Sequence, residues 1–170
     1  VSIGCDIGPA KEGGMHTVDV AVEEGVSADV GGLEADALRL LDLLGLQEAE
    51  LSLLITDDTN IQALNAQWRA KDEPTDVLSF PQQEGEVTGG VLGDLVISVQ
   101  TAASQAESLG HDLGTELRVL LVHGLCHLLG YDHLEADEAD VMSAEELRLL
   151  GALGVEGEAR GLIARGGRAD

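Results

Sequence analysis

Val18, Val20 and Val22 alternate with polar residues, the period-two pattern of a half-buried strand. Leu33, Ala37, Leu40, Leu41 and Leu44 then recur at helical spacing, and Gly45 closes that helix. Leu51 to Ile55 is a short apolar run that predicts a second strand. Asp58 or Thr59 is placed to cap a helix carrying Ile61, Leu64, Asn65 and Trp68, and Pro74 prevents that helix from continuing. Val77–Phe80 and Leu92–Ser98 read as two further strands, separated by a glycine-rich connection at 84–90. Helices are predicted over 100–109, about 115–129 and about 137–150, and the middle one is apolar nearly all round, as a central buried helix must be. The pattern predicts an α+β fold, a small mixed four-stranded sheet packed with about five helices.

The length, 170 residues, suits one domain with a proper core, expected over 15–155. Residues 1–14 hold five glycines or prolines and no apolar period, so they read as a disordered extension or cloning remnant. Residues 156–170, with glycines and three arginines, read as a flexible tail. Cysteine use is sparse, with Cys5 and Cys126 far apart and the second expected within a buried helix, so no disulfide framework is expected. Neither a membrane-length apolar run nor a secretory signal is visible, which leaves the cytoplasm by elimination. With 32 acids against 9 bases the formal charge is −23, which disfavours loose adhesion to DNA or anionic membrane. This excess suits either a solvated surface, as in adaptation to high salt, or a docking face for a basic partner.

Three of the five histidines fall within eleven residues, His123, His127 and His133. A spacing of four puts the first two on one face of a helix, and Gly130 ends that helix so that the chain turns His133 back toward them. Three neutral imidazoles suit Zn2+ and leave one position for water, the mark of a catalytic rather than a structural site. A structural site would need Cys126, Asp132 or a distant residue as fourth ligand. Cys126 is rotated about 60° from His123 and about 100° from His127, so it reads as a core residue. The spacing matches the ligands of metzincin peptidases except that Gly124 stands where their general-base glutamate belongs. A glycine inside a helix suggests close approach by another segment.

Arg69 and Lys71 are the only bases between residues 40 and 117. An arginine fork can hold a phosphate through two bonds, so Arg69 and Lys71 offer a local positive spot for phosphate, although an arginine at a helix end more commonly caps carbonyls or stays in solvent. Asp94 and Asp132 are candidates to orient a ligand imidazole. Thr75 and Asp76 are expected to fix a turn, and Met142 to pack in the core or beneath the metal. His16 and His111 are expected at the surface. Trp68 and Tyr131 can stack a base, although packing is the default for both.

The segments His123-Gly124-x-x-His127-Leu128-x-Gly130-Tyr131-Asp132-His133, Asn65 with Arg69, Lys71-Asp72-x-Pro74-Thr75-Asp76-Val77-Leu78-Ser79-Phe80, and Gly93-Asp94-Leu95-Val96-Ile97-Ser98 together resemble the YbeY family over about residues 50–150. Those are metal-dependent endoribonucleases of bacterial rRNA maturation. The resemblance implies a zincin-like fold, zinc on His123, His127 and His133, and a functional Arg69. It also implies single-stranded rRNA as substrate, with roles at the 3′ end of 16S rRNA and in ribosome quality control, and the small subunit or its proteins as partners. Cys126, where the family usually has leucine, and the strong acidity are its two departures. A zinc hydrolase of another substrate and a ribosome-associated factor with structural zinc are the alternatives.

Overall fold

The computed structural model describes residues 16–155; the expectations for 1–14 and 156–170 lie outside the described residues. Among the described residues nine elements succeed one another: β1 (Thr17–Val22), α1 (Leu33–Leu43), β2 (Gln47–Thr56), α2 (Asp58–Arg69), β3 (Val77–Pro81), β4 (Gly89–Ser98), α3 (Val99–Leu109), α4 (Leu113–Leu128) and α5 (Ala136–Ala152). The four strands form one sheet in the order β1-β2-β4-β3. β1, β2 and β4 run parallel, and β3 pairs antiparallel on the edge beside β4. The mixed α+β sheet with five helices is the architecture the apolar pattern predicts.

Alternation along the strands divides the residues between two faces. Leu51, Leu53, Ile55, Leu95, Ile97 and Val77 join the main core with residues of α1, α3, α4 and α5. The other face carries a smaller cluster in which Ile61 of α2 meets Leu78 and Val96, with Leu54, Leu64 and Phe80 around them. One side of the sheet is therefore deeply covered, while α2 is the helix that packs against the other.

Two strands are longer than their apolar runs. β2 begins at Gln47 and shifts register next to Glu48, whose φ is +42°. β4 begins in the glycine-rich stretch at Gly89, where a side chain would run into the Gln47 carbonyl. Gly93 adopts φ +140°, and a Cβ there would stand 2.3 Å from the Phe80 carbonyl oxygen, so only glycine lets β3 and β4 approach. Polar and glycine-rich ends hide a strand from any reading based on hydrophobic alternation.

Three local expectations are corrected. The cap of α2 is Asp57, whose carboxylate accepts the Asn60 N–H at 2.9 Å, rather than Asp58 or Thr59. Asp58 instead accepts the hydroxyls of Ser98 and Thr101, each at 2.6 Å, and so ties α2 to the start of α3. His16 and His111 are not surface residues. His16 accepts the Ala49 N–H at 3.0 Å and lies 3.3 Å from Asp42, bridging β1, β2 and α1. His111 lies 2.7 Å from the fully buried Glu116. His16 finds its partners across the fold, where its neighbours in sequence do not announce them, and His111 finds one five positions along the chain.

Candidate metal centre

The site is built on α4. Asp112 caps the helix by accepting the Thr115 N–H at 2.8 Å. That contact holds its carboxyl below the usual carboxylate range. The helix body is almost wholly buried, from Leu117 through Cys126. Gly124 is the reason it can lie so close to the sheet. A Cβ at that position would stand 2.7 Å from Leu95 Cδ2 and 3.3 Å from Val77 Cγ2, which bears out the expected close approach. The Ser79 hydroxyl of β3 donates to the Gly124 carbonyl at 3.3 Å, fixing edge strand to helix. The metzincin glutamate position is therefore pressed against the sheet.

α4 stops where the sequence predicts. Gly130 takes φ +101°, its N–H donates to the His127 carbonyl, and the Tyr131 N–H donates to the Cys126 carbonyl at 3.0 Å. The reversal brings His133 to His123 and His127. Ring centroids are 4.8 Å apart for His123–His127, 5.1 Å for His127–His133 and 5.8 Å for His123–His133. One ring nitrogen of each lies within 4.8 Å of the others. Burial is graded: His123 is buried, His127 half-buried and His133 exposed, so the cluster opens to solvent on the His133 side.

The donor set fits a divalent ion with nitrogen preference. Two nitrogens on a tetrahedral zinc are about 3.4 Å apart, given bonds of about 2.1 Å, so only a small contraction separates the cluster from ligation. The two helical imidazoles are also oriented. His123 Nδ1 donates to the Glu146 carboxylate of α5 at 2.6 Å, a contact buried on both sides. His127 Nδ1 lies 3.1 Å from the Tyr131 carbonyl. A carbonyl only accepts, so Nδ1 carries the proton and Nε2 keeps the lone pair for a metal. In both rings the nitrogen left free to hold a metal is thus Nε2.

Sequence reading missed Glu146. Its signal is a carboxylate set among Met142, Leu149 and Leu150 in the buried stripe of α5, where a charge requires a partner. Met142 is buried one turn before it, in the main core. The two acids named instead do other things. Asp94 is exposed on β4, and since its neighbour Leu95 faces Gly124, alternation turns Asp94 to the opposite side of the sheet. Asp132 accepts the backbone N–H of His133 at 2.8 Å, a turn contact rather than an imidazole one. Cys126 is fully buried, and desolvation, followed by Glu146 and Glu145, pushes its thiol well above its ordinary value. Cys126 stands apart from the three-histidine cluster, as the helical angle predicts.

Arg69 ends α2, and Ala70 follows in the left-handed conformation at φ +58°. Asn65, buried, donates to the Glu73 carbonyl at 2.9 Å and accepts the Lys71 N–H through its own carbonyl, so the loop after α2 is folded back on the helix. Lys71 sits exposed in that loop. The Arg69 guanidinium donates to the Ser79 carbonyl and lies 5.6 Å from the Phe80 ring centroid. Asp76 and Ser98 form a hydrogen-bonded pair, so the antiparallel register turns the Ser79 carbonyl outward, away from β4. Arg69 thus grips the open edge of β3. Ser79 joins both halves of the site, its carbonyl held by Arg69 and its hydroxyl bonded to the residue after His123. Asp76 accepts the Val77 N–H at 2.7 Å and the Gln105 amide at 3.3 Å, a structural role as expected of a turn residue. Trp68 is exposed, and Tyr131 packs against the main core, with its hydroxyl pushed up by burial.

The sequence signature of endoribonuclease YbeY matches residues 28–154. An endoribonuclease YbeY of Anaeromyxobacter dehalogenans is 47% identical over 137 residues, covering 81% of this chain and 71% of its own. Its counterpart from Allorhizobium ampelinum is 41% identical over 152 residues, with 81% and 91% covered. That of Aquifex aeolicus is 55% identical over 110 residues, with 64% and 72% covered. The solution structure of TM1509 from Thermotoga maritima has a TM-score of 0.55 at 22% identity, covering 81% of this chain and 91% of that one, a likeness of fold.

Proposed function

The chain belongs to the endoribonuclease YbeY family, and from that premise we propose that it cuts single-stranded RNA internally, with a zinc ion held by His123, His127 and His133. The observation that carries this reading is the convergence of three imidazoles at the solvent-facing end of a buried helix, two of them held with Nε2 as ligand. Zinc held there supplies Lewis acidity and water that ionises near neutral pH. Such a site has less need of the carboxylate base whose position Gly124 occupies. Glu146 and the Tyr131 carbonyl keep two ligand rings in one tautomer and orientation. Arg69, placed at the edge of β3 by its bond to Ser79, is the cation for a phosphoryl oxygen as charge develops on it. Lys71, two residues on, is assigned to the RNA backbone.

The family resemblance makes the 3′ end of 16S rRNA the substrate to try first, with ribosome quality control as the setting and small-subunit proteins as partners. A basic ribosomal protein also suits a chain of charge −23. The buried free thiol of Cys126 fits a reducing cytoplasm. No described helix is long and apolar enough to cross a membrane.

Labelled single-stranded RNA incubated with the protein tests the proposal. Internal cleavage that a chelator stops and added zinc restores is expected. Arg69→Ala should retain stoichiometric metal and lose cleavage by at least about a hundredfold, the scale of removing one preorganised donor. Peptide hydrolysis without RNA cleavage, or chelation that unfolds the protein with neither activity present, would overturn it.

A further inference from the structure

The sheet face turned away from α4 carries a depression of about 840 Å³ whose wall includes Trp68, Arg69, Phe80, Asp94 and Ser52. Register explains what lines it. Asp19 pairs with Ser52, Ser52 with Asp94, and Asp94 with Phe80, so these four residues form one row across all four strands. The next row, Ala21, Leu54, Val96 and Leu78, is apolar. At the β3 end, Trp68 stands edge-on to Phe80 with centroids 6.4 Å apart and an interplanar angle of 74°. The two rings form a right-angled apolar corner. Trp68 is 61% exposed, which is uncommon for so large an apolar side chain.

We propose that this corner is a subsite for one unstacked base of the RNA, and that it prefers guanine. The proposal rests on the endoribonuclease reading above and names a part of its substrate site. A base laid on one ring meets the edge of the other, the arrangement by which single-stranded RNA is read. Arg69 lines the same depression at the open edge of β3. Ser79 of that strand bonds to Arg69 through its carbonyl and to Gly124, beside His123, through its hydroxyl. The corner and the candidate metal centre therefore lie on opposite faces of one edge strand that an RNA chain can cross. Asp94 supplies the discrimination. One strand spacing, about 4.8 Å, separates it from Phe80, and a carboxylate only accepts hydrogen bonds. Guanine alone presents two adjacent donors, N1–H and the N2 amine, on its Watson–Crick edge. Adenine and cytosine place an acceptor nitrogen beside their single amine, and uracil flanks its N–H with two carbonyls. Those acceptors face a carboxylate unfavourably. The acidic row that repels phosphate elsewhere thus becomes a reader of one base, provided the backbone stays near Arg69 and Lys71.

Trp68 is the only tryptophan, so its fluorescence reports on the corner. The full chain, metal-loaded, would be titrated with GMP, AMP, CMP and UMP. Phosphate binding at the metal is common to all four, so any preference isolates the base. GMP is expected to quench Trp68 about tenfold more tightly than the others, the scale of one bidentate base contact. Asp94→Asn, an isosteric change at an exposed position, should bring GMP down to the level of AMP. Trp68→Leu, its fold checked by circular dichroism, should lose labelled GMP in equilibrium dialysis. Equal quenching by all four nucleotides, or none, overturns the proposal. Quenching by a lysine-rich peptide with none by nucleotides also overturns it and makes the face a protein-docking surface. Mononucleotides contain no phosphodiester bond to cut, so this titration stands or falls apart from the cleavage assay.

Discussion

At the start of α4, His111 Nε2 meets the buried carboxylate of Glu116 at 2.7 Å; near its other end, His123 Nδ1 meets the buried carboxylate of Glu146 at 2.6 Å. Chemically the two pairs are alike. The first closes a local turn, its partners five positions apart on the same stretch of chain. The second crosses from α4 to α5 and holds a ring that belongs to the cluster with His127 and His133. An imidazole–carboxylate contact therefore does not by itself mark a metal ligand. The mark is a second and a third imidazole converging on the nitrogen left over.

That distinction can be broken by removing one member of each pair. His111→Ala takes one hydrogen-bond partner from a carboxylate with no exposed surface, and losing such a contact to a buried charged group costs about 2 kcal/mol. Urea denaturation should record that loss, while bound zinc stays at one per chain. Loss of the metal in this variant would mean that the two ends of α4 are not independent.

Glu146→Gln is the converse. The amide still accepts a hydrogen bond from His123 but no longer offers a full negative charge, and such partners are worth about ten- to a hundredfold in metal affinity. Competition against a fluorescent chelator should show that weakening. If Glu116→Gln weakens zinc as much, proximity to α4 rather than the contact to a ligand ring is what matters.

The same two pairs show how far the sequence could be read. Histidine spacing, a stopping glycine and a glycine inside α4 were all visible, because each acts over a turn or less of chain. The α+β sheet followed from strand alternation for the same reason. Glu146 lies 23 residues from His123, and His16 meets Ala49 across 33, so neither pairing has a local signature. Asp94 was misassigned because its strand's apolar run does not say which face packs on α4. The polar start of β2 and the glycines of β4 concealed strand pairing that depends on backbone approach rather than side-chain burial.

Next to His123 stands Gly124, where side chains of the sheet press on α4. Gly124→Ala improves helix propensity by about 1 kcal/mol, but the new methyl meets Leu95 and Val77, and overpacking costs about 1–3 kcal/mol. The nearest contact is the end of a leucine side chain, which can turn aside, so the net loss should be small, about 1 kcal/mol. Cleavage should fall more than stability does, since the Ser79–Gly124 contact ties Arg69 to the histidine helix. Thermal melting set against the rate of RNA cleavage would show whether the two quantities part.

The smallest effect belongs to the helix cap beside the first pair. Asp112 is held below its ordinary pKa, first by the Thr115 N–H it accepts, with smaller help from His111 and Arg118. A carboxyl whose folded pKa is depressed binds fewer protons folded than unfolded. Its stabilisation is complete above the unfolded value near 3.8 and disappears as pH falls through the lower folded value. Asp112→Asn keeps a good cap but has nothing to titrate. The parent should therefore lose slightly more melting temperature than the variant between about pH 5 and pH 3, and the two should run parallel from about pH 5 to 7. Divergence above about pH 5 instead would mean that the Asp112 carboxylate is not the group whose protonation separates the two proteins.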